Sequence, residues 1–442
     1  MTSLSRRHFL QLSASVTATS FLAACAPSAP SGGSDSGGDG GGGGAAASST
    51  IEVWGYPRTE NDLETIFDPM NASFAEVHPD ITVEVEVQPW GGRREKLYAA
   101  AAAGTSPDLW DATTDTVPAF IEKGVILGLN DFLTDEQLGS YTEAELAAAS
   151  LNGELYMPLF EGEVNGFAYN GAMLSELGYD PETAEFATWD SLYGLAEKAA
   201  ENGYYLENLS TFNWGEFLAT VHEAGGQVYA DDRTHSNFTE QPVIDALTRW
   251  VTEYENGWVP LEYAIGSTDE QGGLPDYWLS LEQATARKED AACVQDVEAN
   301  PDLQYVIGHP RSMDGSQTPV SGLVSGQGWA ITQQSENTDA ALTWMKFMIT
   351  PEQVGARANL AGTTPVGTQS KEYWTPDECV FEHASRFGDL LFAGVDANTL
   401  WQESKVVAGP HFQAAVLGEA TVEESLESIK TEIDALLQEK YG

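Results

Sequence analysis

Strands that alternate with helices from residue 51 onward predict an α/β protein. Three observations carry this. Apolar residues switch between a period of two and a helical spacing. Glycines stand where helices should stop. At 442 residues with 42% hydrophobic content, the chain is long enough for two or three domains, each with a real core.

The elements follow in order. Ile51-Glu52-Val53-Trp54-Gly55 reads as a strand ending in a turn. Leu63 to Val77 has helical spacing and is closed by His78-Pro79-Asp80. Ile81 to Val87 alternates apolar and acidic residues, the pattern of a strand with one wet face. Arg93 to Ala103 is an alanine-rich helix stopped by Gly104. Pro107-Asp108-Leu109-Trp110-Asp111 begins the next strand, and Val117 to Lys123 is a short helix capped by Gly124. In open α/β sheets ligands lie beyond the carboxyl ends of the strands. Trp54, Trp90, Asp111 and Asp115 stand at or near such ends, which makes them candidate ligand residues.

Acidic residues number 68 and basic residues 20, a formal charge of −48. This excess excludes nucleic acid as a partner, because a phosphate backbone needs clustered Lys and Arg. It argues equally against a basic patch on anionic lipid. Self-repulsion at this charge destabilises the compact state, and concentrated salt screens it. The reading is an acidic, halophilic protein.

The first 25 residues read as an address. Ser5-Arg6-Arg7-His8-Phe9-Leu10 carries a twin arginine, a moderately apolar stretch follows to Ala24, and Leu22-Ala23-Ala24-Cys25 closes it. The layout is that of a twin-arginine export signal joined to a lipoprotein cleavage box, with Cys25 as the lipidated residue. The stretch is short and rich in Ser and Thr, which disfavours a transmembrane anchor. Residues 26–50 hold Ser-Gly-Gly repeats and the run Gly40 to Gly44, the composition of a flexible tether. The expected location is the outer face of the cytoplasmic membrane, held by lipid alone. Cys293 and Cys379 remain. They can form one disulfide, but sequence does not show whether they meet. With so few thiols and scattered His, no zinc site is expected, and no cofactor.

Four segments carry a family resemblance: Gly104-Thr105-Ser106-Pro107-Asp108-Leu109-Trp110; Leu155-Tyr156-Met157-Pro158 with Gly166-Phe167-Ala168-Tyr169-Asn170; Gly328-Trp329-Ala330-Ile331 with Ala340 to Glu352; and Leu417-Gly418 on to Ile433. In this order the chain resembles the extracellular solute-binding proteins of ABC importers, in the sugar-binding branch that includes maltose-binding protein. The resemblance implies a type II, two-lobe periplasmic-binding-protein-like fold with a ligand cleft between the lobes. Crossings are expected near Phe160 to Asn165, Tyr305 to Pro310 and Thr350. Lobe 1 would combine 51–160 with 306–350, and lobe 2 would combine 164–304 with 351–442. It also implies a monomer that takes a mono- or oligosaccharide and delivers it to permease subunits of the transporter.

A pyranose offers apolar C–H faces and a rim of hydroxyls, so it asks for flat rings together with carboxylates and amides. The chain has 12 Trp. Trp250, Trp344 and Tyr254, at helical spacing, read as core. Trp54, Trp90, Trp214, Trp258, Trp278, Trp329 and Trp401 stand beside Gly, Pro, Asn or Gln in expected loops. By resemblance, Glu163 takes the place of a sugar-binding acid, with Glu161 second. Asp115 falls in a loop where relatives hold hydroxyls, Gln295 and Asp296 follow a cleft strand, and Trp401 lies where relatives contribute a stacking ring. The rare cations Arg58, Arg93 and Arg94 fall near the expected cleft mouth.

Enzyme readings fare worse. A glycosidase pair of carboxylates is indistinguishable among 68 acids. Val320-Ser321-Gly322 fails as a nucleophile elbow, and no phosphate-cradling Gly-x-x-x-x-Gly-Lys loop appears. His222-Glu223 begins like a metalloprotease motif, but Gly226 stands where the second His is needed. The remaining alternatives are a polyol, a peptide or a ferric ion, the last suggested by Tyr204-Tyr205. Adjacent strand residues face opposite ways, which disfavours that pair.

Overall fold

The computed structural model describes residues 49–442 except 59–60, 115, 208, 265–284, 290–301, 324, 389–390 and 393–399. Asp115, Trp278, Cys293, Gln295, Asp296 and the segment around Cys25 lie outside the described residues.

The alternation in the sequence becomes a six-stranded mixed sheet. Strand β1 (Ser49–Gly55) lies between β2 (Ile81–Val87) and β3 (Leu109–Thr113), parallel to both. Ile51 and Val53 are fully buried, while β2 alternates half-buried and exposed residues, as an edge strand with one wet face should. Strand Ser325–Ile331 then runs antiparallel beside β3, followed by Leu159–Glu163 and the edge pair Thr364–Pro365. Gly326 and Gly328 allow this close approach: a Cβ on either would lie 2.5 Å from a carbonyl oxygen, of Glu161 and Pro158 respectively.

Helices connect the parallel strands. A π-helical turn, Leu63–Phe67, leads into α1 (Asp68–Val77). Helix α2 spans Arg93–Ala103 and ends on Gly104, whose φ of 70° lets its N–H reach Ala100 and Ala101. Helix α3 spans Val117–Glu122.

The chain leaves the first sheet at Glu163 and enters a second at Asn165. That sheet has Asn165–Asn170 at its centre, between Thr285–Glu289 and Tyr305–Ile307, both antiparallel to it. The buried residues sort accordingly. One core joins residues 51–160 with 329–366 and holds Trp329 and Trp344. A second joins residues 209–264 with 400–437, and a third gathers around Asn165–Asn170 with Phe387. Val354, Ala361 and Val366 pack in the first core, so the chain stays with that core beyond Thr350. The terminal helix Val422–Tyr441 starts from a capping box between Thr421 and Glu424 and buries Leu426, Ile429, Ile433 and Leu437 along one face. Trp250, Trp344 and Tyr254 are core residues. Cys379 is disulfide-bonded. Among the described residues no helix is long and apolar enough to cross a membrane.

Candidate functional site

The carboxyl end of β1 delivers Tyr56, Pro57 and Arg58 to the edge where β2 delivers Trp90 and α2 begins with Arg93. Tyr56 stacks on Trp90 with ring centroids 5.0 Å apart. Arg93 lies over the same indole at 4.9 Å and Arg58 at 5.7 Å. The Trp90 Nε1 donates to the Pro57 carbonyl at 2.8 Å, which fixes the ring. Arg93 reaches the Thr113 hydroxyl at 3.4 Å, at the end of β3. Half-buried Trp90 thus stands in an aromatic and guanidinium stack at the carboxyl edge of the parallel strands.

Beneath the stack is a buried charge cluster. Glu161 accepts from Arg58 through one oxygen and from Arg357 through the other, and the Thr363 hydroxyl lies 3.4 Å from the latter. Arg357 also covers the Phe160 ring at 3.9 Å. With its amide turned so that both ends are satisfied, Gln327 places its nitrogen 2.9 Å from both Asp111 oxygens while its carbonyl accepts from Arg58. Burial pushes the Asp111 carboxyl up to about 7; Arg357, Arg58, the Tyr56 N–H and Arg93 each work against that rise. Burial also lowers Arg357 to about 10, a fall that Asp111 opposes. Five segments therefore meet in one polar cluster: the turn after β1, β3, Leu159–Glu163, Ser325–Ile331 and helix Pro351–Ala361.

The sequence-expected residues divide. Trp90, Asp111 and Glu161 come together here. Asp111 and Glu161 lie within the cluster, and Glu161 turns both oxygens to protein partners. Trp54 lies in β1, buried, with Lys96 4.5 Å over its ring and its Nε1 donating to Glu52 at 2.8 Å. Glu163 closes its strand opposite Ser325. Trp401 is half-buried at the start of helix Trp401–Val416, against the second core.

Trp214 opens a helix and Trp329 lies in a strand, whereas Trp258 does lie in a loop; the rings of all three are packed in cores. The neighbours that suggested loops have other roles. Asn213 is a helix N-cap whose side chain accepts from the Glu216 N–H, Gly257 follows a helix end in the left-handed region, and Gly328 admits a close strand. Trp214 is 2% exposed among Phe217, Phe238 and Phe412, and Trp329 is 0% exposed, 4.7 Å from Trp344. Glu223 is likewise structural: it accepts from Trp189 at 2.7 Å and Arg249 at 3.0 Å, and Arg249 also pairs with Glu207 and Glu253.

Tyr56, Gln327 and Arg357 are members the sequence did not reveal. Tyr56 had a signal, its place directly after a strand. Arg357 had none, since it lies 196 residues from Glu161.

A family model described as bacterial extracellular solute-binding protein matches residues 70–379. The chain belongs to that family. Among curated relatives, this solute-binding protein is 26% identical over 203 residues to the maltotriose-binding protein of Pyrococcus abyssi, a match spanning 45% of this chain and 40% of that one. It is 22% identical over 296 residues to the diacetylchitobiose binding protein of Streptomyces coelicolor, covering 64% of this chain and 66% of that one. Among solved structures, a solute-binding protein of Thermotoga lettingae bound with α-D-tagatose superposes with a TM-score of 0.74 at 21% identity, over 88% of this chain and 100% of the other. The fold is thus the type II periplasmic-binding-protein arrangement, two α/β lobes with the ligand cleft between them.

Proposed function

We propose that this solute-binding protein is the receptor of an ABC importer, and that it takes a mono- or oligosaccharide between its lobes and passes it to the permease. The observation that carries the reading is the half-buried Trp90, flanked by Tyr56, Arg58 and Arg93 at the carboxyl edge of the sheet. It combines a flat ring with hydrogen-bond donors, the pairing a sugar face and its hydroxyls require. The named ligands of the relatives above, maltotriose, diacetylchitobiose and tagatose, are all carbohydrates. Glu163 and Trp401 supply an acid and a ring from the crossing strand and the second core; Asp115, Gln295 and Asp296 complete the proposed contacts. The lobes divide as 51–160 with about 325–366, where 306–350 was expected, and 164 to about 323 with the remainder. The body works as a monomer without catalysis, tethered by residues 26–50 to lipid on Cys25 at the outer membrane face, in concentrated salt.

A thermal-shift screen of saccharides in high salt tests this. A true ligand at ~100 times its dissociation constant adds ~2.7 kcal/mol of stability. Calorimetry with the stabilising sugar then compares Glu163→Ala and Trp401→Ala, and unchanged affinity in both removes them from the site. Stabilisation by a peptide, a polyol or ferric ion with no response to sugars replaces the carbohydrate reading. Turnover of an oligosaccharide replaces the receptor by an enzyme.

A further inference from the structure

The terminal helix Val422–Tyr441 and helix α3 belong to different cores. Leu426, Ile429, Ile433 and Leu437 pack in the second core, whereas Val117 and Phe120 pack in the first. Yet Lys440 Nζ, in the last turn of the terminal helix, lies 2.6 Å from Glu122 Oε1 at the end of α3. The two side chains retain 27% and 43% exposure, so the pair sits at a surface boundary and not within a core.

A second approach lies beside it. Glu403, in the first turn of helix Trp401–Val416, is near enough for its charge to help raise Tyr98 on α2, together with burial and against Arg94. The same carboxylate acts on Lys440. Burial lowers the Lys440 pKa, but the hydrogen bond to Glu122 and the charges of Tyr441, Glu122 and Glu403 outweigh it, and the net shift is upward. Lys440 therefore answers acids from both cores.

This matters because cations are scarce. With 68 acids against 20 bases the chain as a whole repels itself, so an attraction between the two cores is rare. A hinge motion separates groups that lie on different lobes, and a hydrogen-bonded ion pair tolerates only a few tenths of an ångström before it is lost. A motion that carries the two helices apart breaks the pair, the condition for biasing a two-state equilibrium.

We propose that Lys440 and Glu122 form a latch that favours the arrangement of the lobes in which the two side chains meet, a rare attraction in so acidic a chain. The inference rests on the two-lobe fold and not on the identity of the ligand. Exposed pairs of this kind shift an equilibrium about two- to fivefold.

The test uses small-angle scattering from the purified ligand-free chain at low salt. Lys440→Gln and Glu122→Gln should each move the radius of gyration in the same direction and reduce the population of the latched arrangement about two- to fivefold. The two changes combined should shift the curve no further than either alone, and the differences should shrink at ~1 M salt, where the Debye length is ~3 Å. Wild-type scattering from both single variants overturns the latch. So does a double variant whose shift is the sum of the two single shifts, because additivity makes the contact incidental. No sugar enters the measurement, so failure of the carbohydrate reading would leave this result intact.

Discussion

Arg357 and Glu161 share a buried hydrogen bond that joins helix Pro351–Ala361 to the last residues of the first sheet before the chain crosses to the second. Glu161 also accepts from Arg58 in the turn after β1, so one carboxylate ties three distant segments together. Removing one member of a buried pair leaves an uncompensated charge and costs about 3–5 kcal/mol. Glu161→Gln should therefore destabilise the protein by about that amount in denaturant unfolding. A loss below about 1 kcal/mol would mean that the cluster is solvated and not structural.

Asp111 gives a pH signature. Its folded pKa is about 7, above the value of 3.8 expected of it unfolded. The folded state therefore keeps a proton that the unfolded state releases. Its contribution is most favourable below the unfolded value and is lost as pH rises through about 7. Asp111→Asn mimics the neutral carboxyl. Between the two pKa values wild type loses ~1.36 kcal/mol for each step of one in pH, so the variant should gain on it by about 2–3 kcal/mol from pH 5 to pH 8. Parallel unfolding curves at both pH values would show that Arg357 and Arg58 hold the carboxylate ionised.

How far the sequence could lead depended on whether a signal was local. Helix α2 was legible from end to end because its alanines and the stop at Gly104 lie within one stretch. The terminal helix was legible from Thr421, Glu424 and the apolar spacing that follows. Trp214 and Trp329 misled for a physical reason. A cap and a close strand approach use the same small or polar neighbours as a loop, so Asn213 and Gly328 looked like exposure where they make burial possible. The cluster around Glu161 was half legible. Asp111 lies within a strand and Arg58 just after one, both placed by local pattern, and Glu161 came from the resemblance, but Arg357 and Gln327 join them only through tertiary contact, which no local pattern encodes.

Trp90 and Trp329 separate binding from stability. Trp90 is half-buried at the sheet edge, whereas Trp329 lies between Phe160 and Trp344 in the core. With a stabilising saccharide in hand, Trp90→Ala should weaken its binding about tenfold in calorimetry, the loss of a stacked ring and its buried area. Trp329→Phe should leave affinity within about twofold and lower the unfolding midpoint, because it opens a cavity. Unchanged affinity in the Trp90 variant would move the binding face elsewhere on the sheet edge.

The charge of −48 makes stability a function of salt. At ~0.01 M the Debye length is ~30 Å, so acids repel across a whole lobe; at ~1 M it is ~3 Å and only adjacent groups interact. The buried clusters around Arg249 and Glu161 are shielded from mobile ions by the cores, so their contribution should change little over this range. What salt relieves is surface repulsion, which works against the compact state. The thermal midpoint should therefore climb steeply from ~0.01 M to ~1 M sodium chloride, and an uncharged osmolyte of equal osmolality should not reproduce the low-salt part of the climb. A midpoint that stays constant from low to high salt would mean that the surface acids are balanced locally, and the adaptation to concentrated salt would fall with it.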